Sequence, residues 1–212
     1  MGSIEHFDLK ARSDLHIARK IWHATGISIM VAIHATQPLE LSWLALGIFA
    51  LLIVPGDVLR QYNSKVNFWA HKLFGPVMRK SESKRISGST FLVLGAALNL
   101  LFFESHIINL SMLFLAFGDP IASYVGIRFG REKLANGKTL QGFFAALVVC
   151  SVIVGIYCYS TNILVDRLWI VIPVGGIIGA LSELFTIKNV DDNLSFPVLS
   201  SLGLSLMFYL FS

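Results

Sequence analysis

Asp119 is the residue of this chain that most needs a chemical reason. It lies in AFGDPIASYVGIRFG, residues 116–130, a run otherwise apolar enough to enter a bilayer. A carboxylate at such a depth is costly unless a partner or ligand takes it up. Other ionisable groups fall near the same ends of the apolar runs. Asp57 and Arg60 close one run, Glu183 lies low in another, and Asp191-Asp192-Asn193 opens a third. Arg19, Lys20 and His23 begin the first run, while Glu82 and Lys138 lie in polar loops. Carboxylates collected beside cations suit Mg2+ and a triphosphate, because Mg2+ takes oxygen ligands and typically uses one or two carboxylates plus phosphate oxygens. Cysteine and histidine ligands at zinc spacing are absent. His34, His71 and His106 stand alone and read as interfacial, whereas His23 shares a helix face with Arg19 and Lys20.

The Asp119-Pro120 step predicts a helix break. Aspartate caps helix N-termini and proline favours the first helical position, so a new helix starting at Pro120 would offer free amides to an acidic group. Asp119, Ser123, Gly126 and Gly130 then share one side of that helix, and with an aspartate in the stripe a ligand-lined face is preferred over close helix packing. In the later stripe Gly176, Gly179, Ala180 and Glu183, packing is the preferred reading for the glycines. Gly137-Lys138-Thr139 resembles the end of a phosphate-binding P-loop, but Glu132 stands where that pattern requires glycine. Lys138 reads equally well as a phosphate contact and as a cytoplasmic anchor.

These residues need a membrane framework. The chain is 55% hydrophobic and 14% charged, and apolar runs near the length needed to cross a bilayer occur around 21–37, 41–59, 88–104, 107–127, 140–160, 167–186 and 194–211. The expected fold is all-α: a polytopic membrane protein of about seven transmembrane helices in a single domain, residues 1–212. With the N-terminus in the cytoplasm, every Lys and Arg except Arg167 falls on the cytoplasmic side. That orientation places the C-terminus on the opposite side and the polar site toward the cytoplasm. It also accounts for the net charge of +4 without a nucleic-acid partner. In the loop 61–87, Val66, Trp69, Leu73 and Val77 recur at helical spacing among Lys65, Lys72 and Arg79. This predicts an interfacial amphipathic helix interrupted at Gly75-Pro76, either an anchoring belt or a route for substrate. Cys150 and Cys158, roughly 12 Å apart on one helix at about 1.5 Å per residue, cannot bridge each other. The charged first twenty residues fit neither a cleavable signal nor a myristoylation site. Nothing in the sequence sets an oligomeric state.

Several motifs together resemble the CTP-dependent lipid kinases, the family of dolichol kinase, phytol kinase and yeast-type diacylglycerol kinase, related to phosphatidate cytidylyltransferases. They are RKIWHATG (19–26), GDVLR (56–60), GPVMRKSE (75–82) with SGSTFLVLG (87–95), GDPIASYVGIRFG (118–130), GKTLQG (137–142) and DDNLSFP (191–197). They run in family order over nearly the whole chain, and GPVMRKSE is most similar to the diacylglycerol kinase branch. The long acidic and glycine-rich signature of the cytidylyltransferases is absent. The resemblance implies transfer of the γ-phosphoryl group of a nucleoside triphosphate, CTP, to the hydroxyl of a membrane lipid alcohol, with Mg2+ as cofactor. Diacylglycerol is the first acceptor it suggests, with polyprenol, dolichol and phytol as alternatives. It implies catalytic roles for Asp119, as Mg2+ ligand or general base, for Lys138, steadying phosphates, and for His23 and Glu82, ordering the site. Nucleotide contacts would come from Arg19, Lys20, Ser123, Gly126, Arg128, Gly130, Arg131, Thr139 and Asn193, and metal contacts from Asp119, Asp191 and Asp192. Reading outside this family, a small-solute transporter would be expected to carry midplane ionisable groups and repeated halves. Asn99 is the one embedded polar residue that points that way.

Overall fold

A computed structural model describes residues 16–83, 85–185, 187 and 190–212. The expectations about the first fifteen residues, and the contributions of Lys84 and Lys188 to the charge asymmetry, lie outside the described residues. The described chain forms nine α-helices: α1 (Ile17–Thr36), α2 (Leu39–Tyr62), α3 (Ser64–Phe74), α4 (Gly88–Phe102), α5 (Ser105–Leu113), α6 (Asp119–Phe129), α7 (Leu140–Ser160), α8 (Leu168–Leu184) and α9 (Asp192–Phe211). No strand occurs among the described residues, only an isolated bridge between Lys133 and Thr139. Helices suit an apolar chain because each satisfies its own backbone where no water is available.

The protein is an all-α polytopic membrane protein. Five helical segments are long and apolar enough to cross a membrane: α2, the continuous run Ser105–Phe129, α7, Val165–Leu184 and α9. Helix α4 is apolar but has fifteen residues, about 22 Å at the helical rise. Helix α1 is twenty residues long and carries Arg19, Lys20 and His23 in its first two turns. Helix α3 is the amphipathic helix expected in the second loop. It is followed by a 3-10 turn over Gly75–Val77, where the interruption was expected.

The expected break at Asp119-Pro120 does not occur. Helix α5 passes into α6 through a π-helical turn, Phe114–Gly118, and both Gly118 and Asp119 keep right-handed helical angles. Asp119 therefore caps no helix, and no free helix N-terminus is exposed. Proline lacks an N–H, and its ring collides with the carbonyl four residues earlier in a regular α-helix. The widened turn just before Pro120 relieves that conflict without ending the helix.

Helix α7 packs against α6 and α8, α9 against α4, α5 and α8, and α1 against α5 and α2. Small residues allow the close approaches, as in other membrane bundles. Gly176 faces Ser151 and Gly179 faces Cys150, where a Cβ would collide, which bears out the packing reading of that stripe. Gly126 and Gly130 behave in the same way, contrary to expectation: a Cβ on Gly126 would lie 2.8 Å from Thr139 Oγ1, and one on Gly130 2.9 Å from Thr139 Cβ. This glycine stripe is filled by the start of α7. Asn99 is fully buried, donates to the Gly95 carbonyl and receives the Ser201 hydroxyl. Its amide is taken up within α4 and by α9.

Candidate active site

The first turns of α1 present Arg19, Lys20 and His23, residues i, i+1 and i+4, toward the junction of α6 and α9. Together with Arg79, Asp119, Ser123, Asp191, Asp192, Asn193 and His16 they line one polar pocket. Eight of the residues expected at the site thus converge. The pocket volume is about 40 Å3, room for a few waters or one phosphoryl group at roughly 10–15 Å3 per water.

Glu82 organises the near wall. Its carboxylate accepts from Arg19 Nη1 at 2.8 Å, from the Arg79 N–H at 3.0 Å and from the Gly88 N–H at 3.2 Å. One side chain therefore ties α1, the loop and the start of α4 together. Burial alone would push the Glu82 pKa up, but the Arg19 charge and these hydrogen bonds outweigh it and hold it below the ordinary carboxylate range. Behind Glu82, Arg60 donates to the Glu82 and Arg85 carbonyls and pairs with Asp57 at 2.6 Å. Asp57 in turn receives the Ser87 N–H and the Ser87 and Thr90 hydroxyls. Asp57 and Arg60 thus hold the loop and the first turn of α4.

Asn193 crosses the pocket floor, its amide donating to the Gly88 carbonyl at 2.9 Å. Asp191 is the N-cap of α9 and receives the Asn193 N–H at 3.0 Å. Burial raises the Asp191 pKa despite that hydrogen bond. On the far side Lys138 pairs with Glu183 at 2.6 Å and lies 3.7 Å from Asp192. Burial opposes its charge, yet the carboxylates of Asp119, Glu183 and Asp192 together raise its pKa. The backbone before Lys138 is a tight turn with Asn136 and Gly137 at positive φ and no preceding strand. It is not a P-loop.

Several polar nitrogens in this pocket have no hydrogen-bond partner. Lys20 Nζ and Arg79 Nε are buried donors without a hydrogen bond, and the His23 ring nitrogen Nε2, donor or acceptor according to tautomer, is buried without one as well; the Asp119 carboxylate lines the same pocket. Buried donors left unpaired cost about 1–3 kcal/mol each, more when charged, a cost that a bound anion would relieve. Among the described residues no group of three or more His, Cys, Asp and Glu closes on a single metal position. Asp119, Asp191 and Asp192 instead provide scattered oxygens. That donor set fits a cation completing its shell with phosphate oxygens and water.

The remaining expected residues lie elsewhere. Arg128, Gly130 and Arg131 border a separate exposed concavity with Gln141, at the end of α6. Thr139 caps α7 through Gly142 and packs on Gly126. Two contributors were placed in the polar cluster without a role of their own. Arg79 is one of several basic residues in its loop, and nothing in the spacing separates it from Lys80. Glu183 was noted as an embedded carboxylate, but its pairing with Lys138, 45 residues away in sequence, was not visible.

A second cavity of about 310 Å3, mostly apolar, adjoins the polar pocket between α1, α2 and α3. Arg19, His23 and Asn193 line both.

Among known proteins, the chain is similar to an uncharacterized protein of Rickettsia prowazekii, 30% identical over 206 residues that cover 93% of this chain and 97% of the relative. It is 32% identical to CTP-dependent diacylglycerol kinase 1 of Schizosaccharomyces pombe over 156 residues, 69% of this chain and 72% of the relative. The protein of the same name from Saccharomyces cerevisiae is 28% identical over 207 residues, 88% of this chain and 71% of the relative. No family model and no solved structure matches the chain.

Proposed function

The chain belongs to the CTP-dependent lipid kinase family, and from that premise we propose that it transfers the γ-phosphoryl group of CTP to the hydroxyl of diacylglycerol, giving phosphatidic acid. The observation that carries the reading is the set of buried nitrogens without hydrogen bonds, Lys20 Nζ, His23 Nε2 and Arg79 Nε, gathered beside Asp119 in one pocket. Diacylglycerol as acceptor is supported by the names of the relatives and by the likeness of GPVMRKSE to that branch.

Phosphoryl transfer depends mostly on positioning and on neutralising charge around the phosphates. Lys20 and Arg79 hold the triphosphate oxygens, Arg19 is kept in place by Glu82, and Lys138 compensates the buried Glu183 beside Asp192. One or two of the carboxylates Asp119, Asp191 and Asp192 would hold Mg2+ together with phosphate oxygens, and when bound it neutralises phosphate charge. Asn193 fixes the floor against α4. Of the three residues common to the polar pocket and the apolar cavity, Arg19, His23 and Asn193, only the imidazole can take a proton at neutral pH. His23 Nε2 therefore accepts the proton of the lipid hydroxyl while that oxygen bonds to the γ-phosphorus, the γ-phosphorus to bridging-oxygen bond breaks and CDP leaves. The N-terminus lies in the cytoplasm, α1 and α4 cross with the five longer segments, and the site faces the cytoplasm; the charge asymmetry of the loops supports this arrangement.

The test gives the purified protein CTP labelled separately at the α- and γ-phosphates, with diacylglycerol, phytol or a polyprenol as acceptor. The reading expects γ-label in phosphatidic acid. An α-labelled lipid would identify a cytidylyltransferase, and γ-label confined to a prenol would move the acceptor.

A further inference from the structure

The geometry points to the apolar cavity beside the polar pocket as the seat of the lipid alcohol, entered sideways from the bilayer past α3; this rests on the kinase reading. The cavity's outer wall is built from Leu52 of α2 and Trp69, Ala70 and Leu73 of α3. Leu52, Trp69 and Leu73 are largely exposed. Side chains that line the cavity and are largely exposed have no further layer of protein over them, so a chain inside can continue into hydrocarbon without crossing the bundle. The inner end is polar and is formed by Arg19, His23 and Asn193, the three residues shared with the polar pocket. An occupant lying along the cavity presents its head group to His23 and its apolar body to the membrane.

The charges of the cavity select the occupant's class. Its ionic side chains are already matched: Asp57 with Arg60 at 2.6 Å, and Arg19 with Glu82 at 2.8 Å. A charged head group would find no spare counter-charge along the wall, whereas a hydroxyl finds hydrogen-bonding groups at the inner end. The cavity therefore suits a neutral lipid alcohol rather than a phospholipid. At about 310 Å3 it lies near the lower limit of ligand pockets, roughly 300–1,000 Å3. It holds the part of the lipid nearest the hydroxyl and leaves the chain ends in the bilayer. Helix α3 thus serves as the outer wall of an acceptor site as well as an anchor.

Ala70 and Met78 test this directly, Ala70 within α3 and Met78 buried just beyond its following turn. In Ala70→Trp the indole fills the cavity, and the KM for the lipid alcohol is expected to rise at least tenfold while the KM for CTP stays within twofold. An unchanged lipid KM in a folded variant overturns the assignment. Independently, diacylglycerol carrying a diazirine near its glycerol end is photolysed with the wild-type protein in phosphatidylcholine vesicles without nucleotide. An adduct at Met78, suppressed by excess diacylglycerol and not by added phosphatidylcholine, supports the seat. Competed adducts confined to other helices overturn it. The two readings fail separately: competed labelling at Met78 with no γ-label in any lipid removes the kinase reading alone, and γ-transfer with labelling elsewhere removes the seat alone.

Discussion

Arg19 and Glu82, 63 residues apart in the chain, form a 2.8 Å ion pair in which the carboxylate also receives the Arg79 and Gly88 amides. The first turn of a helix and a polar loop are thereby fixed to each other at the mouth of the pocket. Glu82→Gln keeps the shape but leaves Arg19 without its counter-charge. Breaking a buried pair on one side costs about 3–5 kcal/mol, and the partial exposure of Arg19 puts the expectation at the low end. Detergent-solubilised Glu82→Gln should show a lower thermal transition at pH 7.

The same pair sets an acid dependence. The folded pKa of Glu82 is depressed, so its contribution is fully present above the unfolded carboxylate pKa and is lost as pH falls through the folded value. Wild-type stability should drop over that acid window. Glu82→Gln should lack that part of the slope, and parallel pH profiles for the two proteins would count against the assignment.

Lys20 and Arg79 carry the buried unpartnered donors. If they hold phosphate, Lys20→Met and Arg79→Met each remove a charge-assisted hydrogen bond worth about 1.5–3 kcal/mol. The KM for CTP should rise by about tenfold to a hundredfold with little change in the KM for lipid. Equal kinetics in both variants and wild type would show that the pocket is not the donor site.

His23→Gln retains a hydrogen-bonding side chain and removes the base. General-base catalysis contributes about 10²–10⁴-fold. A fall of that size in kcat is expected, with both KM values nearly unchanged. A variant that loses lipid KM and keeps kcat would instead make His23 a binding group.

Lys138 and Glu183 form a 2.6 Å pair with Glu183 almost fully buried. Lys138→Met alone leaves that carboxylate without its nearest cation and should destabilise the protein by about 3–5 kcal/mol. Adding Glu183→Gln should recover most of the loss, and a thermal double-mutant cycle measures the coupling.

The helices were legible because apolar length is a strong signal, and the regions read at 88–104 and 140–160 agree closely with α4 and α7. The Asp119-Pro120 step misled because the same dipeptide suits a helix start and a helix interior that has first widened into a π turn. Only the packing around Phe114–Gly118 decides between them. The stripe of Gly126 and Gly130 was ambiguous for a related reason: small residues admit a ligand or a neighbouring helix, and here Thr139 occupies the space. The convergence of Arg19, Lys20, His23, Asp119 and Asp191 was foreseeable from their common place at the ends of apolar runs. Arg79 was not, since its spacing with Lys65 and Lys72 marks the polar face of an amphipathic helix and not a pocket.

The most direct test of the account is γ-phosphoryl transfer from labelled CTP to diacylglycerol by Asp119→Asn, measured beside wild type with its thermal transition followed in parallel. The account predicts a loss of at least a hundredfold in a protein that melts as wild type does. Full turnover by the folded variant would contradict it.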